Sequence, residues 1–325
     1  MAVPGRKVPS MRDEYGRDIH YLRLSVTDRC NCRCIYCMPE NGVPMLSHSD
    51  ILSFEEMRDI VVAAAALGVR KVRLTGGEPL VRHGVVDLVR MVAAVPGIEE
   101  VDMTTNATLL APMAADLRAA GLTRLNVSLD TLDAGRYESI TRRGTLADAL
   151  AGLEAAQAAG FTNTKINCVL IGGVNDDELR PLAELARERP LTVRFIELMR
   201  MGECARWPKG RFVSADEVLS AVPELEPVGG QGVSELFHAP GWQGNVGLIR
   251  PMTHRFCSSC DRIRVTSDGR LKPCLHSSAE VNLRGLSGRE LIDAMRAGIE
   301  SKPSGHRMDN GRASESLRAM NEIGG

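Results

Sequence analysis

The stretch DRCNCRCIYCMP, residues 28–39, places four cysteines, Cys30, Cys32, Cys34 and Cys37, within eight positions. A tight loop has no packing use for so many thiols. Cys34-Ile-Tyr-Cys37 is the C-x2-C step by which two thiolates reach one metal centre, and Cys30 extends it to C-x3-C-x2-C. Three thiolates on a four-iron cluster leave one iron open to chelate a small molecule, whereas four cysteines close the site. A second group, Cys257, Cys260 and Cys274, reads C-x2-C-x13-C and again offers three thiolates. His254 or His276 could complete that group as a zinc site, so zinc and iron–sulfur both stay open there. Cys32 is the extra thiol, either a small apolar filler or an alternative ligand. A further reading joins Cys34 and Cys37 to Cys257 and Cys260 as one structural zinc site. That reading leaves Cys30 and Cys274 unused.

Six β-branched runs, at 21–26, 71–76, 101–106, 124–129, 164–170 and 192–198, alternate with helical segments. Such alternation gives parallel βα units, arranged as a doubly wound sheet or as part of a (β/α) barrel. Ser53 opens one helix as a capping box with Glu56, and Gly68, Gly121 and Gly160 stand where left-handed caps close three others. The first cysteine loop follows the first strand, at the carboxyl end where parallel folds carry their chemistry. After about Pro208 the rhythm fails. A helix is predicted over 214–222, then a Gly-rich segment at 228–233, a hairpin over 262–274 turning at Asp268-Gly269, and a helix over 288–299. The chain divides on this reading into a core, 1–230, and a C-terminal unit, 231–325.

Parallel strands covered by helices read as continuous apolar runs, yet four of the six carry a cation between apolar neighbours: Arg23, Arg73, Lys165 and Arg194. A buried unpaired cation costs several kcal/mol. In a barrel, alternate strand residues point inward, so these four could converge on one polyanion, with forked guanidiniums and a point charge suited to a polyphosphate. The plainer reading pairs each with an acid such as Glu78, Asp130 or Glu197. Arg262 and Arg264, just after Cys260, project from one strand face with Ile263 between them. Thr104 and Ser128 add polar groups near the ends of their strands.

Composition sets the outer limits. The 325 residues carry a formal net charge of −1 with 44% hydrophobic and 25% charged residues. No global positive field draws nucleic acid or anionic membrane. The longest apolar run, 61–69, is too short to span a bilayer, and the polar, proline-broken opening does not read as a secretory leader. The expectation is a cytoplasmic protein with reduced thiols.

C-x3-C-x2-C after the first strand, followed by Gly76-Gly77-Glu78-Pro79 after the second, resembles the radical S-adenosylmethionine (SAM) superfamily. Residues 19–30, both cysteine motifs and the terminal Gly324-Gly325 together resemble the GTP 3′,8-cyclase family of molybdenum cofactor biosynthesis over nearly the whole chain. The resemblance implies an α/β fold, an incomplete (β/α)6 TIM-type barrel with a C-terminal α+β iron–sulfur domain. It implies two 4Fe-4S clusters, one on Cys30, Cys34 and Cys37 and one on Cys257, Cys260 and Cys274. SAM is then contacted by Tyr36, Gly77, Ser128 and Met199. GTP falls to Arg23, Arg73, Thr104, Lys165 and Arg194, and to Arg262, Ile263 and Arg264. Arg262, Arg264, Gly324 and Gly325 are the implied catalytic set. The implied reaction joins the ribose C3′ of GTP to C8 of its guanine after a deoxyadenosyl radical removes a hydrogen from C3′. Partners implied are an electron donor and the next enzyme, pyranopterin monophosphate synthase, with the chain a monomer or homodimer. Cys32 departs from the family pattern, which has a bulky apolar residue there. A peptide-modifying radical SAM enzyme, a zinc-stapled binding module and an electron-transfer protein are the competing functions. Cys168, Cys204, His83 and His238 receive no role.

Overall fold

A computed structural model describes residues 11–308 and 312–324. Two short strands, β1 (Met11–Arg12) and β2 (Asp18–Ile19), form an antiparallel pair ahead of the main sheet. The βα rhythm then runs as β3 (Tyr21–Ser25), α1 (Phe54–Ala66), β4 (Lys71–Thr75), α2 (Val85–Ala93), β5 (Glu100–Thr105), α3 (Ala114–Ala119) and β6 (Arg124–Ser128). It continues through α4 (Ala134–Thr141), α5 (Leu146–Ala158), β7 (Lys165–Leu170), α6 (Leu179–Glu188) and β8 (Thr192–Glu197). Ser53 caps α1 reciprocally with Glu56, and Gly68, Gly121 and Gly160 take positive φ after α1, α3 and α5.

The rest of the chain comprises α7 (Glu217–Ala221), β9 (Glu226–Gln231), β10 (Ser234–His238), β11 (Asn245–Ile249), β12 (Arg262–Val265), β13 (Arg270–Lys272), β14 (Val281–Asn282), α8 (Gly288–Glu300) and α9 (Met320–Ile323). It does not build a separate sheet. Strand β11 pairs parallel with β8, and β12 pairs parallel with β3, so the late strands extend both edges of the six-strand run. The described sheet therefore has eight parallel strands in the order β12-β3-β4-β5-β6-β7-β8-β11, flanked by the antiparallel strands β13, β14, β10 and β9. The turn joining β12 and β13 holds Asp268-Gly269, with Gly269 at φ +81°.

Helices α1 to α6 cover the sheet. Their apolar faces meet the outward strand residues, among them the fully buried Leu22, Val72, Met103, Leu125, Ile166 and Phe195. The alternate residues of the same strands face inward and are polar, so the sheet has one oily face and one charged face. That second face forms the site.

Candidate active site

Register aligns the inward side chains. Arg264, Arg23 and Arg73 occupy one level on β12, β3 and β4, and Asp102 of β5 completes it. Lys165 of β7 stands beside Asn126, which stands beside Thr104. Arg194 stands beside Asn167. All but Asp102 line a single cavity of about 1010 Å³, as do Arg262, Ser128, Met199, Tyr36, Gly77 and all six motif cysteines.

The two thiol triads occupy opposite ends of it. Cys30, Cys34 and Cys37 follow β3, whereas Cys260 precedes β12, which runs parallel to β3. Cys274 follows β13, which runs back toward the start of β12. A five-residue strand spans about 16 Å at ~3.3 Å per residue, so the triads are roughly a strand length apart. This separation rules out the mixed zinc site of Cys34, Cys37, Cys257 and Cys260. Among the described residues no three His, Cys, Asp or Glu side chains close on a single-ion position. The donor set, three thiols in each triad, fits a four-iron cluster with one iron left open. His276 hydrogen-bonds Ser314 Oγ at 3.2 Å and packs edge-on against His306, while His254 is exposed against Thr253. Burial pushes the Cys34 thiol well up and that of Cys37 to about 12, so metal must displace protons to bind there.

Glycines in the GGEP turn act on the protein itself. A Cβ on Gly77 would lie 2.3 Å from the carbonyl oxygen of Arg29, and one on Gly76, at φ +155°, 2.5 Å from that of Thr27. Gly77 and Glu78 donate their backbone N–H groups to Thr27 and Arg29 at 2.8 Å each. The turn thus packs against the backbone that leads into the first triad. Beside that triad, Tyr36 donates to Asp130 Oδ2 at 2.7 Å, and Asp130 accepts from Val169 N at 2.8 Å. Burial raises the carboxyl of Asp130 to about 6.

The acids named from the sequence do not neutralise the strand cations. Glu78 accepts from Leu80 N, Thr105 Oγ1 and Asn106 N. Glu197 accepts from Met252 N, Thr253 N and Thr253 Oγ1. Each fixes a loop, because a carboxylate at a strand end meets more backbone N–H groups than guanidiniums. Asp102, fully buried, is the acid that pairs with Arg73, and Lys71 Nζ reaches it at 2.9 Å. Asp102 and Tyr21 belong to this charged network, and the sequence reading gave neither a role. Tyr21 accepts from Arg73 Nε, and Lys71, Arg73 and Arg262 lie over its ring at 5.1, 5.8 and 5.6 Å. Burial opposes ionisation of its phenol, but Arg73, Arg23 and Arg262 outweigh burial and bring it down to about 8. Burial, reinforced by Arg194, Lys71 and Arg73, lowers Lys165 to about 7, and burial with Arg73 and Arg262 lowers Arg194 to about 10.

Lys165 and Arg194 are thus cations that burial and neighbouring charges disfavour, a penalty that an anion placed among them would relieve. Among the described residues, Arg73 Nη1, Arg194 Nε, Thr104 Oγ1 and Asn126 Oδ1 are buried without a hydrogen-bond partner, as expected of groups that face a ligand. Ile263 differs from its neighbours Arg262 and Arg264. Strand alternation turns its side chain into the apolar core, where it is fully buried.

Residues 320–324 pack beside the cavity, with Met320 and Asn321 in its lining. Gly324, at φ +78°, presents its carbonyl to Arg264, and Asn321 donates to the carbonyl of Asp28 at 3.1 Å. Gly325 lies outside the described residues. Cys32 is 1% exposed, with Asn106 Nδ2 3.4 Å from its sulfur and its backbone N–H donating to Cys30 Sγ at 3.3 Å. Cys168 is a buried core thiol. Cys204, unassigned from the sequence, is also buried, with Sγ 3.3 Å from the carbonyl of Tyr36 in the first cysteine loop.

Residues 24–186 match the Radical SAM superfamily, and residues 191–308 match Molybdenum Cofactor Synthesis C. Among curated proteins, GTP 3′,8-cyclase of Peptoclostridium acidaminophilum is 47% identical, covering 96% of this chain and 98% of the relative. That of Moorella thermoacetica is 46% identical, covering 97% and 100%. Among solved structures, Streptococcus suis SuiB bound to S-adenosylmethionine superposes with a TM-score of 0.62 at 14% identity, covering 87% of this chain and 68% of SuiB. Tagged anSMEcpe with bound AdoMet gives 0.53 at 13% identity, covering 86% and 78%. These two likenesses concern the fold, an open α/β barrel. At 46–47% identity over nearly the whole length of both this chain and those curated relatives, the chain belongs to the GTP 3′,8-cyclase family of the radical SAM superfamily.

Proposed function

We propose that this chain converts GTP to (8S)-3′,8-cyclo-7,8-dihydroguanosine 5′-triphosphate, an early step of molybdenum cofactor biosynthesis. The observation that carries the reading is the pair of three-thiol sites at opposite ends of one cation-lined cavity. When bound, the clusters and SAM supply the radical chemistry that removes hydrogen from the substrate's C3′.

The protein's own contribution is to bind, orient and exclude. Cys30, Cys34 and Cys37 hold the first cluster and Cys257, Cys260 and Cys274 the second. Tyr36, Gly77, Ser128 and Met199 seat SAM at the carboxyl end of the strands. Arg23, Arg73, Thr104, Lys165 and Arg194 grip the triphosphate along the strand walls, while Arg262 and Arg264 flank the guanine beside the second triad. Contact at Ile263 is through its backbone. Holding base and phosphates at two fixed points brings C3′ and C8 into reacting geometry, the kind of positioning worth many powers of ten in rate. Gly324, bonded to Arg264, holds the tail beside the site, and Gly324 and Gly325 belong with Arg262 and Arg264 to the catalytic set.

The core of the reading is 1–230, and 231–325 is the unit that brings the second cluster. The protein works in the cytoplasm as a monomer or homodimer. It takes electrons from a one-electron donor and passes its product to pyranopterin monophosphate synthase. An anaerobic assay with SAM, dithionite and GTP tests the activity. Coupled loss of GTP and formation of 5′-deoxyadenosine is expected. SAM cleavage with no GTP consumed would point to another substrate, such as a peptide.

A further inference from the structure

Lys302, two residues beyond α8, is only 3% exposed. Its Nζ donates to the carbonyl oxygens of Arg262 at 2.7 Å and Pro273 at 2.8 Å, and to Cys260 Sγ at 3.5 Å. An ammonium has three donors and no acceptor, and here it meets three acceptors. The two carbonyls belong to the segments that carry Cys260 and Cys274, so one side chain ties both to each other.

The backbone around Lys302 is itself fastened to the second triad. Arg17, buried and paired with Asp13 at 2.5 Å, donates to the carbonyls of Cys257 at 2.9 Å, Pro303 at 2.7 Å and Ser304 at 3.1 Å. A Cβ on Gly305 would lie 3.2 Å from Cβ of Cys257. Residues 302–305 are thus laid directly over the second triad, with the ammonium of Lys302 aimed at one of its sulfurs.

We propose that Lys302 is a positioning residue that sets the reduction potential of the second cluster through its hydrogen bond to Cys260 Sγ. The proposal rests on the reading of Cys257, Cys260 and Cys274 as that cluster's ligands. A donor to a ligating sulfur draws off negative charge, and reduction adds negative charge, so the bond favours the reduced form and raises the potential. A compact ammonium on a flexible stem points its three donors at two carbonyls and a sulfur, a geometry that a planar guanidinium fork reproduces only in part.

The test compares holoenzyme of wild type, Lys302→Met, Lys302→Gln and Lys302→Arg, with iron and acid-labile sulfide assayed and each cluster's potential followed by EPR-monitored redox titration. The first cluster serves as internal reference. Lys302→Met and Lys302→Gln are expected to keep both clusters and to move only the second one's potential to more negative values, with Lys302→Arg recovering part of the shift. An unchanged second potential in whichever variant holds the cluster would overturn the proposal. So would equal shifts of both clusters, or loss of the second cluster from Met and Gln alike, since Lys302 would then build the site rather than tune it. A wild-type chain with two clusters that does not cyclise GTP would sink the functional reading and leave this comparison standing. A wild-type chain with no second cluster would sink both.

Discussion

Arg264 Nη1 donates to the carbonyl oxygen of Gly324 at 2.5 Å, across 60 positions of sequence. The bond fixes one end of a guanidinium that lines the cavity and whose strand neighbour is Arg23, and it ties the last described residue to that wall. Gly324 fits there only because it lacks a side chain. A Cβ would lie 2.1 Å from Thr75 Oγ1, and its φ of +78° is one that other residues resist.

Gly324→Ala should therefore push the tail off β4 and release Arg264. GTP cyclisation is expected to fall at least about 100-fold, the scale of a misplacement of about 1 Å. Cleavage of SAM should fall less, because the residues of the first triad are unchanged and, among the described residues, the tail reaches them only through Asn321. The ratio of cyclised product to 5′-deoxyadenosine, measured under single-turnover conditions, checks this.

Arg73 links the anion site to Asp102, the buried acid in its row. Arg73→Ala should weaken GTP binding by about 10- to 100-fold, in line with ~1.5–3 kcal/mol for hydrogen bonds to charged groups. Anaerobic calorimetry of GTP binding to the holoenzyme gives the number. A change below twofold would remove Arg73 from the phosphate site.

Lys165 supplies a pH dependence with a definite sign. Its pKa in the free protein is about 7, so above that pH it is largely neutral. Bound phosphates favour the ammonium, raising the pKa of the complex. GTP binding should then take up a proton above pH 7, and affinity should decline as pH rises from 7 toward 9. Calorimetry in buffers of different ionisation enthalpy reads the proton uptake directly, and Lys165→Arg should remove the Lys165 share, leaving near pH 8.5 only the share that Tyr21 takes.

Tyr21 should report on the same charges. Its phenol is expected to ionise near pH 8, ahead of a free tyrosine at about 10. Absorbance at 295 nm followed against pH should show this early step, which Tyr21→Phe removes. Adding GTP at pH 8.5 should reverse it, because the triphosphate takes the attention of the cations that held the phenolate.

Cys32→Ala should retain two clusters' worth of iron and sulfide, whereas Cys30→Ala should lose one cluster. Equal losses in the two variants would make Cys32 a ligand and overturn the assignment of the first triad.

Much of the site was legible because it violates a local rule. Arg23, Arg73, Lys165 and Arg194 stand out as charges in strands that should be apolar, and the motif cysteines announce themselves by spacing. Asp102 breaks the same rule, lying between Val101 and Met103 as Arg73 lies between Val72 and Leu74. Attention to cations alone passed it over. Tyr21 gave no signal, since an aromatic at a strand start reads as core. Lys302 and Arg17 could not have been found locally. Their partners lie about 40 and 240 positions away in sequence, at Cys260 and Cys257. Nor did periodicity show that β11 and β12 join opposite edges of the sheet, for strand order between distant segments is set by closure of the whole chain.

That arrangement bears on how the protein is made. A nascent chain emerging from the ribosome has all six early strands before residue 245 appears, yet both flanks of its sheet are still bare. Naked parallel flanks invite pairing between molecules. Termination before β12 would strand the polypeptide with β3 uncovered, so premature stop codons late in the gene should yield aggregates rather than weakened enzyme. Only the finished polypeptide can cover both sides.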